Sequence, residues 1–216
     1  MRNRFIATTI IFFAACMAVC AQGTCTINGK IDDYRMADGK AIKKVYLIHT
    51  DEYGRNTKVA EAKVKKGTYS FKHQVQENEP VMLYSITGFD DNNCIELFVE
   101  PGTVTVNTEK ATKPCQSKVK GTPTNDTFDE YKSMLQEYDT SKAVELIKRE
   151  SERIKFLIDH NSSPMTPLEM ERSVMPYLSE VYTEQMVKSI AMELHTHPYY
   201  VSFRNAMLAR TLKVGN

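Results

Sequence analysis

The hydrophobic period of this chain changes once, near residue 125. Before that point apolar side chains alternate in short runs broken by turn residues, the spacing of a strand. After it they recur every three to four residues, the spacing of a helix. Residues 24–31, 44–49, 59–64, 68–72, 81–87, 95–99 and 103–106 read as strands rich in Val, Ile, Thr, Tyr and Phe. Lys66-Gly67 and Pro101-Gly102 read as tight turns, the second returning 103–106 beside 95–99. Short strands with frequent turns, and no long helix between them, predict an antiparallel sandwich and argue against a parallel sheet.

The second half opens with Phe128, Tyr131, Leu135 and Tyr138 on one helical face, and Thr127 with Glu130 predicts a capping box at its start. The stepping resumes at Val144, Ile147, Ile154 and Ile158 after a slip near Asp139-Thr140. Thr166-Pro167-Leu168-Glu169 predicts a second start, with proline at the first helical position. Pro176 inside that helix would cost about 3 kcal/mol, which predicts a break. Leu178, Tyr182, Met186 and Ile190 form a further stripe, closed by His195-Thr196-His197-Pro198, and a last helix runs to about Leu212. Methionines cluster in this half, and their apolar stripes point to a core more than to a groove. The fold class is α+β: an antiparallel β-sandwich-like N-terminal domain over 22–124, then a small helical bundle over 125–216.

Residues 1–21 read as a secretory signal peptide. Arg2 and Arg4 precede an apolar stretch of about fifteen residues, and Ala21 supplies a small residue at the cut. The stretch is shorter than the roughly twenty residues of a spanning helix. A lipoprotein-like box around Cys16 or Cys20 is poorly formed, so export to the periplasm or cell envelope is expected ahead of a lipid anchor. Removing Arg2 and Arg4 from the 28 basic residues leaves 26 against 27 acidic ones. That near-neutrality argues against a nucleic-acid binder.

Three cysteines remain after the expected cleavage: Cys25, Cys94 and Cys115. Cys94 and Cys115, separated by one hairpin and a loop, are the pair that could close a disulfide; the plainer reading is three inert thiols. No Cys-x-x-Cys is present in the mature chain, and no Gly-x-Ser-x-Gly elbow or glycine-rich phosphate loop. His195-x-His197 has metal-like spacing, but two ligands leave a site incomplete, and histidine suits a helix C-terminus. His160 reads the same way, His49 and His73 as surface or edge positions, and Asp90-Asp91-Asn92-Asn93 as a solvated turn and not a calcium loop. No catalytic, cofactor or metal residues are assigned.

Five blocks carry a family likeness in order and spacing: 26–31 (Thr-Ile-Asn-Gly-Lys-Ile), 45–47 (Val-Tyr-Leu), 62–71 (Ala-Lys-Val-Lys-Lys-Gly-Thr-Tyr-Ser-Phe), 98–102 (Phe-Val-Glu-Pro-Gly) and 121–126 (Gly-Thr-Pro-Thr-Asn-Asp). The chain resembles the β-rich domain, of the domain-of-unknown-function 4369 type, at the front of envelope thiol–disulfide oxidoreductases of certain Gram-negative bacteria. In those proteins a thioredoxin-like domain follows; here the sequence reaches Val214-Gly215-Asn216 and supplies no counterpart of its dithiol. The resemblance implies a non-catalytic envelope module working through protein contacts, with a thioredoxin-like protein among its expected partners. Two alternatives stand beside it: the accessory half of a thiol–disulfide system, and a peptide or lipid receptor with Met-lined walls in the helical half.

Overall fold

The computed structural model describes residues 23–51, 54–90 and 93–214. The expected signal peptide lies outside the described residues. Eight strands form two four-stranded sheets. The first has the order β4-β1-β7-β8, from β1 (Gly23–Asp33), β4 (Thr68–Val75), β7 (Gly102–Lys110) and β8 (Lys118–Lys120). The second has the order β3-β2-β5-β6, from β2 (Lys44–Thr50), β3 (Asn56–Lys63), β5 (Met82–Thr87) and β6 (Ile95–Val99). Alternate residues of both sheets meet in one core that includes Ile27, Ile31, Val45, Leu47, Ile86, Leu97, Val104 and Val106. Gly29 takes an inward position of β1 because the Tyr69 ring lies across it: a Cβ there would sit 1.9 Å from the ring.

The Pro101-Gly102 step differs from expectation. It does not close a hairpin. β6 and β7 belong to different sheets, and β7 runs parallel to β1, with Ile27 opposite Val104. The other strand pairs are antiparallel. A parallel pair needs a long crossover between its strands; here the whole second sheet intervenes. Gly102, at φ 136°, makes the sharp corner from one sheet to the other.

The helical half comprises α1 (Pro123–Gln136), α2 (Ala143–Asp159), α3 (Met165–Glu169), α4 (Glu180–Ser189) and α5 (Pro198–Val214). A π-helical turn (Met170–Val174) and a 3-10 turn (Met175–Tyr177) follow α3, and the helix breaks at Pro176 as expected. The two capping boxes do not form. α1 begins at Pro123, and Thr127 Oγ donates back to the Pro123 carbonyl. α3 begins at Met165, and Thr166 Oγ donates to the His160 carbonyl. Proline at the first turn set the start of α1, where its missing N–H has no intrahelical role.

A second core, built on Phe98, Phe128, Tyr131, Leu157, Met165, Met170 and Phe203, packs the helices on the outer face of the second sheet. β6 is the seam: Leu97 and Val99 face the sandwich, while Phe98 faces the helices and meets Phe128 edge to face at 5.3 Å. No helix among the described residues is long and apolar enough to cross a membrane.

Candidate functional site

The helical half closes backbone positions that the sheets leave open. Phe98 on edge strand β6 has its N–H and C=O turned away from β5, and the buried Asn125 side chain takes both, at 2.8 and 2.7 Å. Its amide also donates to Thr122 Oγ at 2.8 Å. Asp129 accepts the Val119 N–H of β8, and Asp126 accepts that of Gly121. Glu100, buried at the sheet-to-sheet corner, receives both the N–H and the hydroxyl of Thr124, which places a carboxylate at the N-terminus of α1. Segment 121–126, which reads as a polar loop in sequence, is therefore a clamp across both sheet edges.

β5 is completed in the same way. Its pairing with β2 stops at Tyr84, so the Leu83 N–H donates to the Tyr199 phenol oxygen at 2.7 Å. His197 Nε2 meets the Val81 carbonyl at 3.1 Å, and His197 Nδ1 accepts the Tyr199 N–H at 3.2 Å. A carbonyl only accepts and an amide N–H only donates, so the ring is neutral with its proton on Nε2. Burial holds the His197 pKa below its ordinary value, the Val81 contact opposing. His195 stacks on Tyr200 at 4.3 Å, and its Nε2 lies 3.2 Å from the Ile190 carbonyl. His160 caps the C-terminus of α2 through the Phe156 carbonyl. His49, on β2, and His73, on edge strand β4, are both half-buried against the Tyr84 ring. Among the described residues no group of three or more His, Cys, Asp or Glu is placed to hold a metal ion.

Where α5 and the π-helical turn face the ends of β2 and β5, they leave a cleft of about 1040 Å³. Met82, Leu168, Met175, Pro176, Val201 and Ala206 give it apolar walls, with Glu171 and Arg172 at its polar side. Arg172 is anchored by both oxygens of Glu96, at 3.0 and 3.2 Å, and by Glu169. Burial alone would weaken its charge, but Glu169 and Glu96 hold the guanidinium firmly protonated. Burial pushes the Glu171 carboxyl up, opposed by a hydrogen bond from Ser202. Arg210 donates to the Met175 and Leu178 carbonyls, which flank the Pro176 break, and so fixes the wall.

Residues 25–128 match the family described as Domain of unknown function (DUF4369). The β-rich half of this chain belongs to that family. No curated protein and no solved structure matches the chain. The matched segment ends inside α1, so the DUF4369 domain includes the turn that carries Asn125 and Asp126.

Its cysteines divide by environment. Cys25 is fully buried in the sandwich core, and burial raises its pKa. Cys94, just before β6, and Cys115, in the 3-10 turn Pro114–Gln116, are free thiols that line one hollow of about 210 Å³ with Glu96 and Lys132. Cys94 is half-buried, its pKa raised first by burial and then by Glu96 and Cys115. The calcium reading of 90–93 falls partly outside the described residues; Asp90 accepts the Ala37 N–H.

The helical stripe expected at Val144, Ile147, Ile154 and Ile158 does not face the core as a unit. Ile154 is half-buried, while Val144 is 65% and Ile147 70% exposed. Leu157 carries the buried face of α2. Tyr177, Val181, Tyr182 and Met192 add further exposed apolar area. Among the described residues, every large apolar side chain that is exposed lies in the helical half. Met165, Met170 and Met186 fill the helical core, as their spacing predicts, whereas Met82 and Met175 line the cleft.

Proposed function

We infer that this chain is an exported module of the cell envelope that works by binding a protein through its helical half, with the DUF4369 domain as its scaffold. One observation carries this reading: the exposed apolar side chains are confined to the helices. Ordinary surfaces scatter such residues singly, whereas a concentration on one part of a fold marks an interaction surface. Val144 and Ile147 share one face of α2, and Val181 and Tyr182 are neighbours on α4. The sequence resemblance adds a class of partner to try first, an envelope protein of thioredoxin-like fold.

The test is capture from an envelope fraction with the whole chain as bait, beside a V144K/I147K/V181K/Y182K variant. The reading expects specific partners for the parent and their loss in the variant, with thermal stability little changed because the four side chains are exposed. Equal capture by both proteins would reject it.

The cleft supports a second reading, an apolar peptide or lipid received between α5 and the β2–β5 edge. Wells of this size with apolar walls and few polar groups suit such ligands. A thermal-shift screen of peptides and fatty acids should then show stabilisation that A206W abolishes.

A further inference from the structure

We propose that Cys94 and Cys115 are a redox-active pair, closed by exchange with a disulfide that reaches Cys115 first. Cys94 immediately precedes β6 of the second sheet, and Cys115 sits between β7 and β8 of the first. The turn holding Cys115 packs on β6, and both thiols open into the same hollow. Their exposures differ in the useful direction: Cys115 is exposed to an incoming disulfide, while Cys94 is half-buried behind it.

The third wall of the hollow supplies charge. Lys132 of α1 lines it, with its ammonium 4.5 Å from the centre of the Phe128 ring. Burial lowers the Lys132 pKa, with Asp129, Glu96 and Glu169 opposing. Glu96, the carboxylate in the same wall, is occupied by Arg172.

The exchange balances without a further reagent. The Cys115 thiolate attacks one sulfur of a disulfide RSSR, forming a Cys115–SR bond and releasing RS⁻. Cys94, on losing its proton, attacks the Cys115 sulfur and releases the second RS⁻. Two protein thiols are oxidised, and one external disulfide is reduced to two thiols. The product joins the two sheets at the β6 and β8 edges and encloses about 20 residues. Cys25, fully buried between the sheets, takes no part.

The test uses the whole chain with oxidised glutathione, followed by alkylation in denaturant and peptide mapping, which also separates Cys16, Cys20 and Cys25. The expected product is a Cys94–Cys115 cross-linked peptide, with Tm raised by roughly 5–10 °C and both changes reversed by dithiothreitol. C94S should stop at a glutathione adduct on Cys115. C115S should react at Cys94 at least about tenfold more slowly than the parent reacts at Cys115. Separate glutathione adducts on both cysteines of the parent, or unmodified thiols at both positions, would overturn the proposal. Neither outcome bears on partner capture by the helical face, which this pairing does not use.

Discussion

Asn125→Ala should be among the most damaging single substitutions in this protein. The side chain is fully buried and makes three hydrogen bonds, two of them to the main chain of Phe98. Alanine leaves the Phe98 N–H and C=O without partners, in a place where packing against Phe128 keeps water out. Each such group costs about 1–3 kcal/mol, so a loss of roughly 3–5 kcal/mol is expected. That is a large part of the roughly 5–15 kcal/mol that holds an ordinary domain together. With a urea slope of about 2 kcal/mol/M, the midpoint should fall by roughly 1.5–2.5 M. Asn125→Asp separates hydrogen bonding from volume. Its carboxylate can still accept from the Phe98 N–H but meets the Phe98 carbonyl with like polarity, so burial and that contact raise its folded pKa above the unfolded value of about 3.9. The penalty is then full above the folded pKa and vanishes as pH falls toward about 3.9, where the protonated acid can donate to the carbonyl. Equilibrium urea unfolding of both variants at two pH values decides the matter. A loss below about 1 kcal/mol for the alanine variant, or an aspartate penalty that does not shrink on acidification, would refute the clamp.

Three further outcomes follow from the same geometry. Because the folded His197 pKa is depressed, stability should be complete above about pH 6.5 and decline as pH falls below it, until the folded ring itself protonates; thermal melts of the parent should show this step and His197→Gln should flatten it. Gly29→Val forces a branched side chain into the Tyr69 ring and should cost about 3 kcal/mol or more, read from the urea midpoint. Arg172→Met takes the cation from the buried Glu169 carboxylate, while Arg172 and Glu96 themselves are partly exposed, so it should destabilise by about 1–3 kcal/mol, whereas Lys44→Met, at an exposed pair with Glu61, should change the melt by less than about 1 kcal/mol.

The strands were legible because each alternates against one continuous core, and the break at Pro176 because proline lacks the donor a helix interior needs. Strand pairing was less so. Val104 and Val106 show the same alternation whether they return beside β6 or cross to β1, and only the packing of the two sheets decides between these. The Thr127 and Thr166 boxes failed for a local reason. A threonine hydroxyl inside a helix bonds back to a carbonyl one turn earlier as readily as it caps an N–H, and in both cases it did so or reached a nearby loop. The candidate site was the least visible part. Asn125, Tyr199 and His197 act on backbone groups 27 to 116 residues away, so no spacing rule connects them. Segment 121–126 stood out only as a block of family likeness. The common hollow of Cys94 and Cys115 was foreshadowed by their being the pair close enough in sequence to meet, while Lys132 carried no signal of its own.

The seam at β6 has a bearing on how this family could be moved between proteins. A strand whose last three residues are buried on both faces, and which is sealed along its free edge by the first residues of a helix, cannot be excised at the end of the sheet. A recipient chain would inherit a raw hydrophobic flank and a line of thirsty amides unless it also received the opening turns of α1 and something greasy to lie over Phe98. Whatever sequence follows those turns in other members must bring its own covering for that flank, and this requirement, more than any shared chemistry, would decide which neighbours the domain can accept.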